Sequence, residues 1–178
     1  MIAGAHAVLW VRQDGAGNDA CRFANAEGGY LIDGSSTDSD WNVLRYRVRA
    51  RADGTTRRVR IGARSRIFLR RATDDTWTLN GVAVPAVNGA KDIDFGFSPA
   101  TMTLPIRRLK LAVGDEAEVL VARYDLKTGD LTPHRLVYRR TAPDKYECHD
   151  TGAGTTAQLK VDTHGIVQTY KGHWKAQT

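Results

Sequence analysis

The chain has 178 residues, 42% of them hydrophobic, and a formal net charge of +6. That length supports a single domain, residues 1–178, with a core of its own, so neither a metal nor a disulfide is needed to hold it together. No stretch approaches the roughly 18 consecutive apolar residues of a membrane helix, and two cysteines, Cys21 and Cys148, are too few for a disulfide scaffold.

The opening residues, Met1 to Arg12, lack the basic leader and cleavage pattern of a secretory signal and read instead as a first strand around Val8, Leu9, Trp10 and Val11. A cytoplasmic location with both cysteines reduced is expected. Asp14 to Asn18 is a turn, Asp19 to Ala24 a second short strand, and Tyr30-Leu31-Ile32 a third. Gly34, Ser35 and Ser36 then read as a mobile loop.

The clearest periodicity starts at Leu44. Leu44, Tyr46, Val48 and Ala50 alternate with Arg45, Arg47, Arg49 and Arg51. After the Asp53-Gly54 turn, Val59, Ile61 and Ala63 alternate with Arg58, Arg60, Gly62 and Arg64. A period of two marks an antiparallel ribbon with one apolar face and one guanidinium face. Across residues 45–71 there are eleven arginines and one acid, Asp53. Such a face is solvated surface protected from edge pairing by like charge, an attractor for anions or a membrane surface, or a nucleic-acid contact. Nucleic acid is the weaker idea, because no aromatic is interleaved on the arginine side.

Ile67 to Leu69 and Trp77 to Leu79 extend the meander, Val82 to Ala90 is looser, and Asp92 begins the densest stretch. Asp92 and Asp94 share one face of an extended segment and Ile93 and Phe95 the other. Pro99 and Pro105 point to an ordered loop or sheet edge, in which Arg107 and Arg108 face opposite sides and one of them takes Asp92 or Asp94 as its partner. Thr101 to Leu111 and a short piece near the C-terminus are the candidates for helix. Strands follow at Glu116 to Asp125, with both faces covered, and at Leu131 to Arg140, Tyr146 to His149, Ala157 to Val161 and Ile166 to Tyr170. The expected fold is mainly β: a curled antiparallel sheet, a roll or incomplete barrel, with at most one or two short helices.

No metal-ligand spacing, phosphate loop, dinucleotide fingerprint or nucleophile elbow is present, so no metal or cofactor is expected. Asp92 and Asp94 are candidates for an acid/base pair, but an arginine-rich chain offers partners that neutralise them. The aromatics Trp77, Phe95, Phe97 and Tyr124 are individually core residues and collectively a possible cavity lining.

Asp92-Ile-Asp94, Pro99 to Leu109 with its Thr103-Leu-Pro-Ile-Arg-Arg-Leu109 run, and Val161 to Val167 with Tyr170 and Trp174 resemble the "putative glycolipid-binding" family of small bacterial proteins. The resemblance covers nearly the whole chain. It implies a spiral β-roll similar in outline to bacterial lipoprotein carriers, and a lipid-like or amphipathic ligand, with a glycolipid among the candidates. No catalytic residue carries over. The leading expectation is therefore non-catalytic binding on the concave apolar side, with Asp92, Asp94, Arg107, Arg108, Trp77, Phe95, Phe97 and Tyr124 as ligand-binding candidates. The rival readings are a nucleic-acid module using the ribbon 45–71, and an enzyme for a hydrophobic small molecule with Asp92 or Asp94 as acid/base.

Overall fold

Alternation of apolar and charged residues is carried into a long meander. β1 (Ala5–Arg12), β2 (Asn18–Ala26), β3 (Gly29–Thr37), β4 (Val43–Arg51), β5 (Thr56–Ile61), β6 (Ile67–Arg71), β7 (Trp77–Leu79) and β8 (Val82–Ala83) pair in succession, each antiparallel to the next. The computed structural model describes residues 4–62 and 66–177. The expected start of the first strand at residues 1–3, and the continued alternation at Ala63 and Arg64, lie outside the described residues.

After β8 the chain enters the concave side. There it forms β9 (Asp92–Phe95), a 3-10 turn at Pro99–Met102 and α1 (Thr103–Leu109). A second meander follows: β10 (Glu116–Tyr124), β11 (Leu131–Ala142), β12 (Lys145–Asp150), β13 (Thr155–Val161), β14 (Val167–Tyr170) and β15 (Trp174–Gln177). β15 returns to pair with β1, so the two meanders form one fifteen-stranded sheet whose edges are β8 and β9. This is the expected mainly β, curled and unclosed sheet. One pair departs from antiparallel order: β9 runs parallel to β10. A parallel pair needs a crossover, and α1 supplies it.

The helix candidate Thr101 to Leu111 is met by α1, and three other local expectations are corrected. Arg107 and Arg108 lie in α1 rather than on opposite faces of a strand. Pro105 is the third residue of α1, where backbone N–H groups have no intrahelical acceptor, so the proline costs the helix nothing there. Pro99 likewise opens its turn, whose first N–H groups are met by Ser98: its side chain accepts from the N–H of Ala100. Lys110 ends the helix in a left-handed conformation, φ 51°. The supposed loop at Gly34 to Ser36 is the second half of β3, paired on both sides with β2 and β4. At the C-terminus, the helix candidate is β15.

α1 and β9 occupy the space between the two meanders. Leu104, Ala100, Ile93 and Phe95 join Trp10, Phe23, Ile32, Val48 and Val59 in one cluster, while Ile106 joins Val119, Val121, Leu136 and Tyr138 in another. At roughly 1.5–3 kcal/mol for each fully buried large side chain, the insertion contributes a sizeable share of the core. Backbone bonds seat it from both sides. The N–H of Thr56 in β5 donates to the Lys91 carbonyl, the N–H of Lys91 donates to Leu120 in β10, and the N–H of Ile93 donates to the Thr56 hydroxyl. The concave apolar side expected to take a ligand is filled at the proline-flanked motif, because the motif's own Leu104 and Ile106 are buried there.

A buried polar chain anchors the turn before α1. Tyr46 donates its hydroxyl to Asp19, 2.8 Å away, and lies 3.2 Å from Ser98 Oγ. Its ring meets Phe95 and Phe97 edge-on and crosses β3 directly over Gly34. A Cβ on Gly34 would stand 2.3 Å from Tyr46 Cζ. Tyr46 cannot swing aside without breaking its bond to Asp19. Gly34→Ala is therefore expected to destabilise the protein by about 1–3 kcal/mol, the usual range for overpacking. Urea unfolding should show a lowered midpoint with an unchanged slope.

Burial raises the Asp19 carboxyl to about 6, against the hydrogen bonds from Ser98 and Tyr46. An acid whose folded value is raised favours the folded state below its unfolded value and loses that contribution as pH climbs through the folded value. Asp19→Asn is thus expected to gain stability relative to the parent between pH 4 and pH 7. The pH-dependent part is at most about 3 kcal/mol. Urea melts of both proteins at the two pH values test this, and a pH-independent difference would contradict it.

Candidate functional site

A cleft of about 240 Å³ opens between the inserted segment and the second meander. Strand register builds its charged floor. Asp94 in β9 is opposite Arg123 in β10, and Asp150 in β12 is opposite Leu136 in β11. Paired residues share a face of the sheet, so the Arg123 and Asp150 side chains converge across β11.

Arg123 bridges two carboxylates. Its Nε donates to Asp94 Oδ2 at 2.6 Å and its Nη1 to Asp150 Oδ2 at 2.8 Å. Asp150 also ties down the turn after β12, its Oδ1 accepting from the N–H groups of Gly152 and Ala153 at 3.0 Å each. His134 Nδ1 lies 3.3 Å from the same Asp150 Oδ2 that meets Arg123. Burial alone would raise Asp150, but the Ala153 N–H and Arg123 outweigh it and hold the carboxyl at about 2. Burial likewise works against the Arg123 charge, yet the two carboxylates lift its pKa above the ordinary guanidinium value. A guanidinium has five N–H donors. Among the described residues, Nη2 of Arg123 has no protein acceptor.

The walls are aromatic and apolar. Phe95, Tyr170 and Trp174 line the cleft with Met102 from the 3-10 turn, and Cys148 and Ala157 close the far side. Burial raises the Cys148 thiol to about 12 and also raises Tyr170, so both stay neutral. Both cysteines are free and buried. Among the described residues, no group of three His, Cys, Asp or Glu side chains is arranged to hold a metal ion.

The candidates named from the sequence do not converge on one place. Asp94 and Phe95 line the cleft. Phe97 stacks on Phe95 with ring centroids 4.7 Å apart. Asp92 is fully buried and pairs with Arg108, its expected kind of partner. Its dehydration raises the carboxyl pKa, opposed by that guanidinium. Arg107 turns to the other side of α1 and donates to the His164 carbonyl at 2.5 Å. Trp77 is a core residue whose indole donates to Ala90 at 3.0 Å. Tyr124 is buried at the end of β10, opposite Leu131.

Arg123, Asp150, His134, Tyr170 and Trp174 were not among those candidates. Arg123 carried a usable signal. It interrupts the apolar run Val119 to Tyr124, in a strand expected to be covered on both faces, and a covered cation requires a carboxylate. Its partner Asp150 is distant in sequence and is set by the register of three strands.

A family model described as "Putative glycolipid-binding" matches residues 7–176. A similar solved structure is that of a DUF1089 family protein from Pseudomonas aeruginosa, 28% identical, with a TM-score of 0.68. The match covers 97% of this chain and 92% of that one. No curated protein matches.

The pH behaviour of Asp150 tests the bridge. A carboxyl held below its unfolded value stabilises the fold above the unfolded value, and that contribution disappears as pH falls through the folded one. The parent should therefore melt above Asp150→Asn at pH 6, and the gap should shrink between pH 4 and pH 2. Thermal unfolding of both proteins across that window is the measurement. A gap that stays constant with pH would contradict the bridge.

Proposed function

We propose, because this chain belongs to the family described as "Putative glycolipid-binding", that it binds the polar head of a glycolipid-like amphiphile in the Arg123 cleft without transforming it. One observation carries this reading: a guanidinium with uncommitted Nη2 donors sits between two carboxylates and beneath aromatic walls. Sugar hydroxyls both donate and accept, so a paired arginine and carboxylate can meet them. A sugar's C–H face is apolar and packs on aromatic rings.

Size favours the head over the tail. The cleft holds on the order of eight waters at about 30 Å³ each, below the roughly 300 Å³ at which pockets for larger ligands begin. The acyl chains would remain outside it. Binding is favoured over catalysis because Asp150, at about 2, is a poor proton donor near neutrality. Asp92 is buried behind Arg108.

The test is an NMR titration with octyl glucoside below its micelle concentration, and with methyl glucoside as the head alone. Both are expected to shift the Trp174 indole and Arg123 Nε–H signals and to leave the indoles of Trp10 and Trp77 in place. Arg123→Met should weaken binding about tenfold or more, a loss of ~1.4 kcal/mol. Thr155→Trp, at an exposed position on the cleft rim, should block it without touching Arg123. No shift at the cleft, or undiminished binding by both variants, would overturn the reading.

A further inference from the structure

The arginines of the first meander play no part in the cleft, and their arrangement is unusual. Arg45, Arg47 and Arg49 of β4 point away from the core, as do Arg58 and Arg60 of β5 and Arg70 of β6. The register sets them directly against one another: Arg47 opposite Arg60, Arg49 opposite Arg58, and Arg58 opposite Arg70. Like charges facing each other across a ladder oppose folding. Among the described residues, Asp33 is the carboxylate that meets this array, bonded to Arg47 at 2.7 Å. Arg60 covers the Phe68 ring, and Arg45, Arg49, Arg58 and Arg70 have no carboxylate partner there. Arg47, Arg49, Arg58 and Arg60 enclose a notch of about 150 Å³, room for one phosphate-sized anion by the ~30 Å³ volume of a water.

A second observation stands at the end of the same strand. The loop joining β3 to β4 holds Trp41 83% exposed, with Val43 beyond it 56% exposed. The loop is tightly bonded. The Asp38 carboxylate accepts from the N–H groups of Asp40 and Asn42 and from the Asn42 side chain, and the Asp38 carbonyl accepts from the Trp41 N–H. Asp40 is the loop's other carboxylate. Trp41 itself adopts a left-handed backbone, φ 62°, a conformation that disfavours bulky residues and persists where surrounding structure enforces it. An indole thus held in water on a rigid tip is suited to the headgroup zone of a bilayer, where an apolar ring with one N–H donor is at home.

We infer that this face is a docking surface for an anionic bilayer: the arginine array lies against phosphate headgroups, and Trp41 with Val43 enters the interface. The negative headgroups neutralise the mutual repulsion of the arginines, and salt screens that attraction, so binding weakens as salt rises. Val43 to Arg49 spans about 20 Å of strand, which places tip and array on one continuous surface. Nucleic acid, whose bases stack on aromatic rings interleaved with the cations, fits less well: Phe68 within the array is covered by Arg60, and the exposed Trp41 stands alone at the tip beyond it. This inference does not rest on the cleft.

The experiment uses the full chain with vesicles of phosphatidylcholine, with and without phosphatidylglycerol, followed by co-sedimentation at low and high salt. Binding is expected only with the anionic lipid and should fall as salt rises. Brominated lipid should quench Trp41 fluorescence, and Trp41→Phe should remove that quenching, since Trp10, Trp77 and Trp174 are buried. The triple variant Arg45→Gln, Arg49→Gln, Arg58→Gln should bind at least tenfold more weakly while melting no lower than the parent. Equal binding to neutral vesicles would overturn the inference, as would full binding by the triple variant or binding without Trp41 quenching. So would release by inorganic phosphate where chloride of equal ionic strength has no effect, which would indicate a site for single anions. Binding to a short DNA duplex with no vesicle binding would assign the face to nucleic acid instead.

Discussion

A carboxylate with no access to water sets the terms for the interior. Asp92 is buried at the start of the inserted segment, and a charge there is tolerated only with a close partner. Arg108 provides it from the last turn of α1. The pair fixes how β9 and α1 are folded against each other, and removing one member of a buried pair typically costs about 3–5 kcal/mol. Once locked, the segment can fill the concave side with Leu104 and Ile106 and take backbone bonds from both meanders. One open sheet thereby curls over its own insertion rather than over an empty cavity.

That arrangement determines what is left for a ligand. β9 ends its parallel pairing at Phe95, and the chain turns through Gly96 to Ser98 into the 3-10 turn. Beside this turn the second meander is uncovered. The exposed floor is where Asp94, Arg123 and Asp150 meet, and Trp174 and Tyr170 stand over it. The same device therefore appears twice, with different exposure. Asp92 and Arg108 are spent on holding the insertion, whereas Arg123 is placed at the boundary with donors in reserve.

Much of the architecture was legible because half-buried antiparallel strands alternate. Leu44 to Arg51 and Arg58 to Ile61 read directly as a ribbon, and the inward tyrosine and outward arginines are where the pattern puts them. Helix α1 was harder to read, since two prolines argue against a helix unless both fall in opening turns, as Pro99 and Pro105 do. Gly34, Ser35 and Ser36 looked like loop chemistry. The glycine is there because Tyr46 crosses it, a reason set by the next strand and not by its neighbours. Asp92 and Asp94 were rightly expected to find arginines, but the partner of Asp94 is Arg123 and not one of the motif pair. The rest of the cleft joins residues 94, 123, 150 and 174, a set assembled by strand order that local pattern does not encode.

The most direct measurement of the central claim is a crystal structure of the protein grown with octyl glucoside. Electron density for the glucosyl ring is expected between Trp174 and the Asp94–Arg123–Asp150 floor, with Nη2 of Arg123 donating to a ring hydroxyl and the octyl chain leading outward. A ring bound elsewhere, with the cleft holding only water, would contradict it. So would an octyl chain buried beneath α1 with Leu104 and Ile106 displaced.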